Sequence, residues 1–120
     1  MNDILGDCLF PVMLGSNTRA HACVKKMGKL YGAASTVLTG KRALALRVLP
    51  DVRVVYAPPA IADELMLDIL RDLSLACGMR VPLLILCDEA YGAFLARNHA
   101  EVEAHFILRR AEEVLGRGET

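Results

Sequence analysis

The sequence predicts an α/β fold in three layers, with a mostly parallel, four- to five-stranded sheet and helices on both of its faces. Two observations carry this prediction. Short, continuously apolar runs alternate with longer segments in which apolar residues recur at helical spacing. The first run ends at a glycine followed by residues that favour helix N-termini, which is the pattern of a strand, a tight turn and a helix. Strands that are apolar throughout are typical of parallel sheets, because helices cover both of their sides.

Length and composition indicate one folded domain. The 120 residues are 54% hydrophobic and 23% charged, enough to bury an aliphatic core. We place the domain at residues 10–120, after an N-terminal extension over 1–9. Fourteen basic and fourteen acidic residues cancel, so the net charge gives no electrostatic argument for nucleic acid or an anionic membrane, which require a clustered basic surface. The longest apolar run, Val81–Cys87, is far shorter than the roughly 20 residues of a membrane span. We therefore expect neither a nucleic-acid partner nor a membrane association.

The first two elements are predicted as a strand over Phe10–Leu14 and a helix over Arg19–Tyr31, joined by a turn over 15–17. Ser16 or Asn17 caps the N-terminus of the helix. The buried stripe of this helix consists of Ala20, Val24, Met27 and Tyr31.

The middle of the chain is predicted to hold two further strands and the clearest helix. The strands cover Ser35–Leu38 and Val52–Ala57, and the ambiguous stretch 43–49 between them suits a short helix. Pro58-Pro59 ends the third strand and starts the next helix, since proline is tolerated in a first turn. The buried stripe of that helix consists of Ile61, Leu65, Ile69, Leu73 and Ala76, widened by Met66 and Leu70.

The last third begins with Val81–Cys87, whose continuous apolar character predicts an interior strand. Helices are expected over 91–98 and 100–105, with Asn98 and Glu101 as a capping pair. A brief edge strand over 106–108 and a fraying helix over 109–120 complete the chain.

Ligands of parallel α/β sheets bind beyond the carboxyl ends of the strands. The residues expected at this edge include Gly15, Ser16, Asn17, Asp88 and Glu89. Backbone N–H groups at the start of the first helix suit an anion. Asp88 and Glu89 have two interpretations: one of them orients a ligand, or, as we favour, both are first-turn acids that stabilise the following helix.

Complete catalytic or metal-binding motifs are not visible in the sequence. The G-x-G-x-x-G, P-loop and G-x-S-x-G patterns are missing, and His21, His99 and His105 share no ligand spacing. Four cysteines occur without a C-x-x-C pair, at Cys8, Cys23, Cys77 and Cys87. We expect all four to be buried free thiols, which suits a reducing, cytoplasmic location. We therefore predict no catalytic residue, metal ligand or cofactor within this chain.

Three stretches of the chain carry a resemblance to a known family: Pro11–Gly15, Ser35–Leu38 with Gly40-Lys41, and Leu84–Tyr91. Together they resemble the N-terminal, pre-ATP-grasp domain of ATP-grasp ligases. The resemblance is to the carboxylate–amine ligases that include D-aspartate ligases and, more loosely, to the large subunit of carbamoyl-phosphate synthase. That family often has a second glycine and an aspartate where this chain has Ser16 and Asn17.

The resemblance implies a Rossmann-like domain that packs against ATP-grasp lobes of the same polypeptide. Such a domain would form the acceptor-substrate wall through Gly15, Ser16, Asn17, Asp88 and Glu89. In the complete ligase, ATP with magnesium would phosphorylate a small carboxylate, and an amine substrate would attack the acyl phosphate. The lobes that hold ATP and magnesium would lie outside these 120 residues, so this chain is expected to be a fragment, or a stand-alone copy, without activity of its own.

Two alternatives stay open at this point. One is a stand-alone Rossmann-like module that binds a small molecule or regulates without enzymatic activity, with a homodimer as a further option. The other is a small cysteine-dependent enzyme that uses Cys87, which ends a predicted strand and would need a lowered thiol pKa.

Overall fold

A computed structural model describes residues 8–41, 49 and 51–116 of the chain. The strands of this part are β1 (Leu9–Leu14), β2 (Ser35–Thr39), β3 (Val52–Tyr56), β4 (Val81–Leu86) and β5 (Ile107–Arg110). Its helices are α1 (Thr18–Tyr31), α2 (Asp63–Ala76), α3 (Gly92–Arg97), α4 (His99–Glu103) and α5 (Ala111–Leu115), and a short 3₁₀ helix covers Glu89–Tyr91. Apart from residue 49, the predicted helix over 43–49 lies outside the described residues, and so does most of the extension over 1–9.

The five strands form one sheet in the order β3-β2-β1-β4-β5, and every neighbouring pair is parallel. β1 is the central strand, and it pairs with β4 along its whole length, from Leu9 opposite Val81 to Leu14 opposite Leu86. β2, which lies between β3 and β1, is buried along its whole length, whereas β1 and β4 are fully buried only toward their carboxyl ends. The predicted α/β fold is therefore confirmed as a Rossmann-like, three-layer arrangement with an all-parallel sheet.

Alternate residues of the strands face two separate cores. α1 and α5 cover one face of the sheet, where they pack on Met13, Val37 and Ile85. α2, α3 and α4 cover the other face and pack around Val12 and Leu84. The crossover β1–α1–β2 runs toward one edge of the sheet, and the crossover β3–α2–β4 runs toward the other edge. Because both crossovers are right-handed, α1 and α2 lie on opposite faces of the sheet.

The start and the buried face of α2 differ from the prediction. The Ile61 amide donates to the Pro58 carbonyl at 3.0 Å, which closes a separate turn, and the helix begins only at Asp63. Its buried residues are Met66, Leu70 and Leu73, whereas Leu65 is 55% exposed. The buried stripe is therefore centred one position later than the predicted one. The helix is rotated about its own axis relative to the prediction, so that Met66 rather than Leu65 is buried.

Three other expectations for the chain are wrong. Asn98 does not form a capping pair with Glu101: its side chain makes no capping hydrogen bond, and its Nδ2 donates to the Asp63 carboxylate at 2.9 Å and to the Phe94 carbonyl at 3.1 Å. The edge strand β5 extends through Arg110, so the last helix starts at Ala111 rather than at residue 109. Cys8 is exposed, while the other three cysteines are buried as expected. None of the described helices has the length and apolar character needed to cross a membrane.

Met66 and its neighbour Leu65 provide a matched test of how α2 is oriented. Met66→Ala should lower the free energy of unfolding by about 2–5 kcal/mol, because it leaves a cavity in the core. Leu65→Ala should change it by less than about 0.5 kcal/mol, since that side chain is largely in water. Urea unfolding of both variants measures the difference, and equal losses would contradict the orientation.

The carboxylate of Asp63 predicts a pH dependence of stability. Its pKa is lowered from the ordinary 3.8 to about 2, because Arg97 donates two hydrogen bonds to it and Asn98 donates a third. A pKa that is lower in the folded state stabilises the fold above the unfolded value, and this contribution is lost as the pH falls from 3.8 through about 2. Tm should therefore fall over this interval, and Asp63→Asn should reduce that fall more than Asp72→Asn, an exposed carboxylate of the same helix. An NMR titration that places Asp63 at its ordinary value would contradict the prediction.

Candidate functional site

The crevice between the carboxyl ends of β1 and β4 is the candidate site. From β1 the chain moves outward through β2 and β3, and it then crosses back to β4 and β5 on the other side. The connections that leave β1 and β4 therefore diverge, and this is the position where parallel α/β sheets bind their ligands. The structure brings the predicted turn 15–17 and the predicted pair Asp88 and Glu89 to this one edge.

Gly15 allows the two strand ends to approach closely. Its φ of +115° is a backbone conformation that residues with a Cβ rarely adopt, and its amide donates to the Leu38 carbonyl at 2.8 Å. A Cβ built on Gly15 would lie 2.4 Å from the Cβ of Asp88. The turn after β1 and the segment after β4 thus touch directly, so a ligand would lie over this junction rather than between the two loops.

Asn17 fastens the start of α1 to the end of β4. Its Oδ1 accepts a hydrogen bond from the Ala20 amide at 3.0 Å, which makes Asn17, and not Ser16, the helix cap. Its Nδ2 donates to the Cys87 carbonyl at 2.9 Å. Ser16 instead bonds Thr39 at the end of β2, with 2.7 Å between the two hydroxyl oxygens. Both polar side chains of the turn therefore hold neighbouring strand ends in place.

Asp88 and Glu89 have structural partners, as the favoured interpretation of the sequence expects. Asp88 Oδ1 accepts from the Ala90 amide at 3.0 Å and caps the 3₁₀ helix that follows. Glu89 Oε1 accepts from an Arg110 Nη at 3.2 Å, and both of those side chains are more than half exposed. The second carboxylate oxygen of each residue is left for other contacts. Their role toward a ligand stays a prediction.

Tyr91 joins the β2 and β3 side of the edge to the segment after β4. Its ring is buried and its hydroxyl donates to the Ala57 carbonyl at 2.8 Å. Burial and the negative charge of Asp88 raise the pKa of Tyr91 to about 12, although a hydrogen bond from the Gly40 amide opposes this shift. The hydroxyl therefore stays protonated and acts as a fixed donor.

Sequence reasoning missed Tyr91 and Arg110 as residues of this edge. Arg110 could have been found by extending the predicted edge strand from 106–108 through residue 110, which puts it at a fifth carboxyl end. The hydrogen-bond partner of Tyr91 lies far away in sequence, so no local pattern indicates it.

Two cavities of similar size lie at opposite edges of the sheet. A shallow depression of about 550 Å³ lies beside the first turns of α1 and is lined by Ser16, Asn17, Thr18, His21, Ala22 and Lys25. His21 thus lies close to the candidate site. A cavity of about 620 Å³ lies at the amino ends of β1, β4 and β5 and is mostly apolar. Its lining is less suited to the small carboxylate and amine substrates that the family resemblance implies.

Cys87 has the wrong environment for a nucleophile. It is buried, and its pKa is raised by a hydrogen bond with the Cys23 thiol and by burial. A nucleophilic cysteine needs the opposite shift, so the cysteine-dependent enzyme considered above is disfavoured. Within the part of the chain that the structure describes, no group of three or more His, Cys, Asp or Glu side chains is placed to hold a metal ion.

Comparisons of the chain with protein-family models, with curated proteins and with solved structures find no match. The chemistry open to the site is therefore argued from its own groups. The N-terminus of α1 carries a partial positive charge and the amides of its first turn. Asp88, whose Cβ lies against Gly15, supplies a negative charge beside the turn that precedes this helix, and Glu89 follows it in the chain. One edge thus offers complementary groups to both an anion and a cation.

Gly15 and Gly28 provide a matched pair of glycine-to-alanine substitutions, because a Cβ would meet a close neighbour at Gly15 and open space at Gly28. Gly15→Ala should cost about 2–5 kcal/mol, because it combines an unfavourable φ with a clash against Asp88. Gly28→Ala, in the interior of α1 with open space around it, should stabilise the protein by about 0.5–1 kcal/mol. Thermal unfolding of both variants checks the prediction, which fails if Gly15→Ala is as stable as the unmodified protein.

Proposed function

We propose that this chain is the substrate-side domain of an ATP-dependent carboxylate–amine ligase of the ATP-grasp type. In this proposal it binds a small carboxylate or amine substrate over the junction of β1 and β4, and it has no ligase activity without ATP-grasp lobes. The observation that carries the proposal is that the segment after β4, which holds Asp88 and Glu89, packs against the turn that leads into the N-terminus of α1.

The charges of the crevice fit a small molecule that carries both a carboxylate and an ammonium group. A substrate carboxylate would accept hydrogen bonds from the first amides of α1 and gain from the helix dipole. A substrate ammonium would meet the oxygens of Asp88 and Glu89 that their structural partners do not use. The same two groups also suit a substrate with only one of the charges.

The segments that carry the family resemblance also support the proposal by their position. Pro11–Gly15 and Leu84–Tyr91 form the two strand ends that flank the crevice, and Ser35–Leu38 forms β2 beside them. In the complete ligase, ATP and magnesium would be held by the lobes outside this chain and would supply the acyl phosphate. This chain would bind and orient the acceptor-side substrate and exclude water from one side of it.

A second candidate is a stand-alone module that binds a small molecule without catalysis. It is favoured by the way the crevice is built. Asn17, Ser16 and Asp88 are all fixed by hydrogen bonds within this chain, so the wall forms without help from another domain. Both candidates use the same binding surface, and they differ in what completes the site.

Binding can be tested by NMR with a panel of α-amino acids and small dicarboxylates as probes. We expect amide shifts at residues 15–19 and 87–90 with one or more of these compounds. Asp88→Asn should weaken binding of amine-containing probes at least several-fold, because asparagine can still cap the 3₁₀ helix but carries no charge. Asp72→Asn, at an exposed position on α2, is the matched control and should bind normally. Amide shifts confined to the apolar cavity at the amino ends of β1, β4 and β5, or no amide shifts with any probe, would contradict the proposed binding surface.

The ligase and the stand-alone module are separated by two further observations. The purified 120-residue chain should release no ADP from ATP and magnesium with any of the probes, and ADP release above background would contradict the proposal. A gene whose reading frame continues beyond Thr120 into ATP-grasp lobes supports the ligase, whereas a stop codon directly after Thr120 supports the module.

A further inference from the structure

A third cavity, of about 450 Å³, lies at the end of the sheet opposite the crevice. It is bordered by the amino ends of β1, β2 and β3 and by the C-terminal end of α2. We propose that this cavity binds a small phosphate monoester whose body carries hydroxyl groups, such as a sugar or polyol phosphate. None of the residues assigned to the crevice lines it, so it is a second site that does not depend on the ligase proposal.

The hydroxyl of Thr36 is the buried donor of this cavity. Thr36 is 6% exposed, and no hydrogen bond joins its side chain to another residue of the described chain. It pairs in register with Val12, which packs in the core beneath α2, so Thr36 faces the same side of the sheet. Polar groups that are this deeply buried normally have a partner. A ligand oxygen in the cavity would supply one.

Arg53, on the edge strand β3, places a guanidinium beside this hydroxyl. The register pairs it with Thr36, and paired residues of neighbouring strands lie about 4.8 Å apart with their side chains on the same face. Val55, two positions along the strand, packs in the core beneath α2, which agrees with this orientation. No described residue bonds the Arg53 side chain, so its N–H groups are open to bidentate contact with a phosphate.

Arg80 supplies a second cation, and its own contacts already hold it in position. Its Nε donates to the Cys77 carbonyl at 3.0 Å, and its Nη2 donates to the Ala76 carbonyl at 3.4 Å. Its guanidinium also lies over the ring of Phe10, 4.7 Å from the ring centroid. These contacts leave the Nη1 group for a ligand, and they offset the negative end of the α2 dipole, which by itself disfavours an anion. Because Arg80 is fixed, little side-chain entropy is lost when a ligand binds.

The charges of the lining select the class of ligand. Of the charged residues that line the cavity in the described chain, Arg53 and Arg80 are basic and Asp51 is acidic. Two guanidiniums and a hydroxyl suit the three terminal oxygens of a phosphate monoester better than the two oxygens of a carboxylate. Asp51 would repel a bare anion but would accept a hydrogen bond from a ligand hydroxyl. The volume lies within the range of small-molecule sites, roughly 300–1,000 Å³, and leaves room for the body of such a ligand.

An NMR titration of the 120-residue chain with glycerol 1-phosphate tests the proposal. In about 100 mM NaCl, which screens surface charges beyond roughly 10 Å, we expect saturable amide shifts at residues 34–36, 51–53 and 76–80. Glycerol should cause none, and glycerate and inorganic phosphate should bind several-fold more weakly. Equal binding of glycerate would overturn the assignment to a phosphate, and equal binding of inorganic phosphate would overturn the role of the ligand hydroxyls. Shifts confined to residues 15–19 at the start of α1, or no saturable shifts, would overturn the site.

Three variants separate the groups of the cavity from general effects of charge. Arg53→Gln should weaken binding of glycerol 1-phosphate roughly tenfold or more, and Thr36→Val roughly threefold or more, because each removes a donor to the phosphate. Arg71→Gln removes an exposed arginine of α2 outside the cavity, so this matched control should bind normally. Amide spectra show whether each variant is folded. If Thr36→Val is not, Arg53→Gln, at an exposed edge position, still decides. Equal effects of Arg53→Gln and Arg71→Gln would overturn the proposal.

Discussion

The bond from the Asn17 amide to the Cys87 carbonyl holds together the point at which the sheet changes direction. β2 and β3 lie on one side of β1, and β4 and β5 lie on the other. Asn17 caps α1 with one end of its side chain and reaches the end of β4 with the other end. This double role is possible only because Gly15 has no Cβ and lets Asp88 approach. The pairing of β1 with β4 joins the two halves of the sheet along its whole length, and two small residues of one turn secure the carboxyl end of that pairing.

The same contacts limit what the crevice can do. Asn17 uses both its oxygen and its nitrogen, and Ser16 is paired with Thr39. Among the described residues at the ends of β1 and β4, the groups left for a ligand include the first amides of α1 and the unused oxygens of Asp88 and Glu89. A site of so few free groups, lying over a closed junction, is suited to forming one wall around a small charged molecule. This is why the proposed ligase function assigns the chemistry to other lobes and only orientation to this chain.

The sequence predicts this fold well where the signals are local, and it predicts the site only in part. The strand, the turn at 15–17 and the helix α1 follow from neighbouring residues, as does the interior position of β4. The face of α2 was predicted one position too early, because apolar residues at Leu65 and Met66 make two rotations nearly equivalent and only the packing on the sheet chooses between them. Asn98 has a local capping pattern but makes no capping bond; its Nδ2 donates to the carboxylate of Asp63, a partner 35 positions away that only the fold brings close.

Cys87 links the candidate site to the core beneath it. Its carbonyl accepts the hydrogen bond from Asn17, while its buried side chain belongs, with Cys23 of α1, to the core between that helix and the sheet. α1 is therefore held near this residue by a hydrogen bond at its N-terminus and by packing along its buried face, and Asp88 follows directly in the chain. Because interiors are close-packed and transmit strain, a change in the packing of α1 on the sheet would also shift the crevice wall.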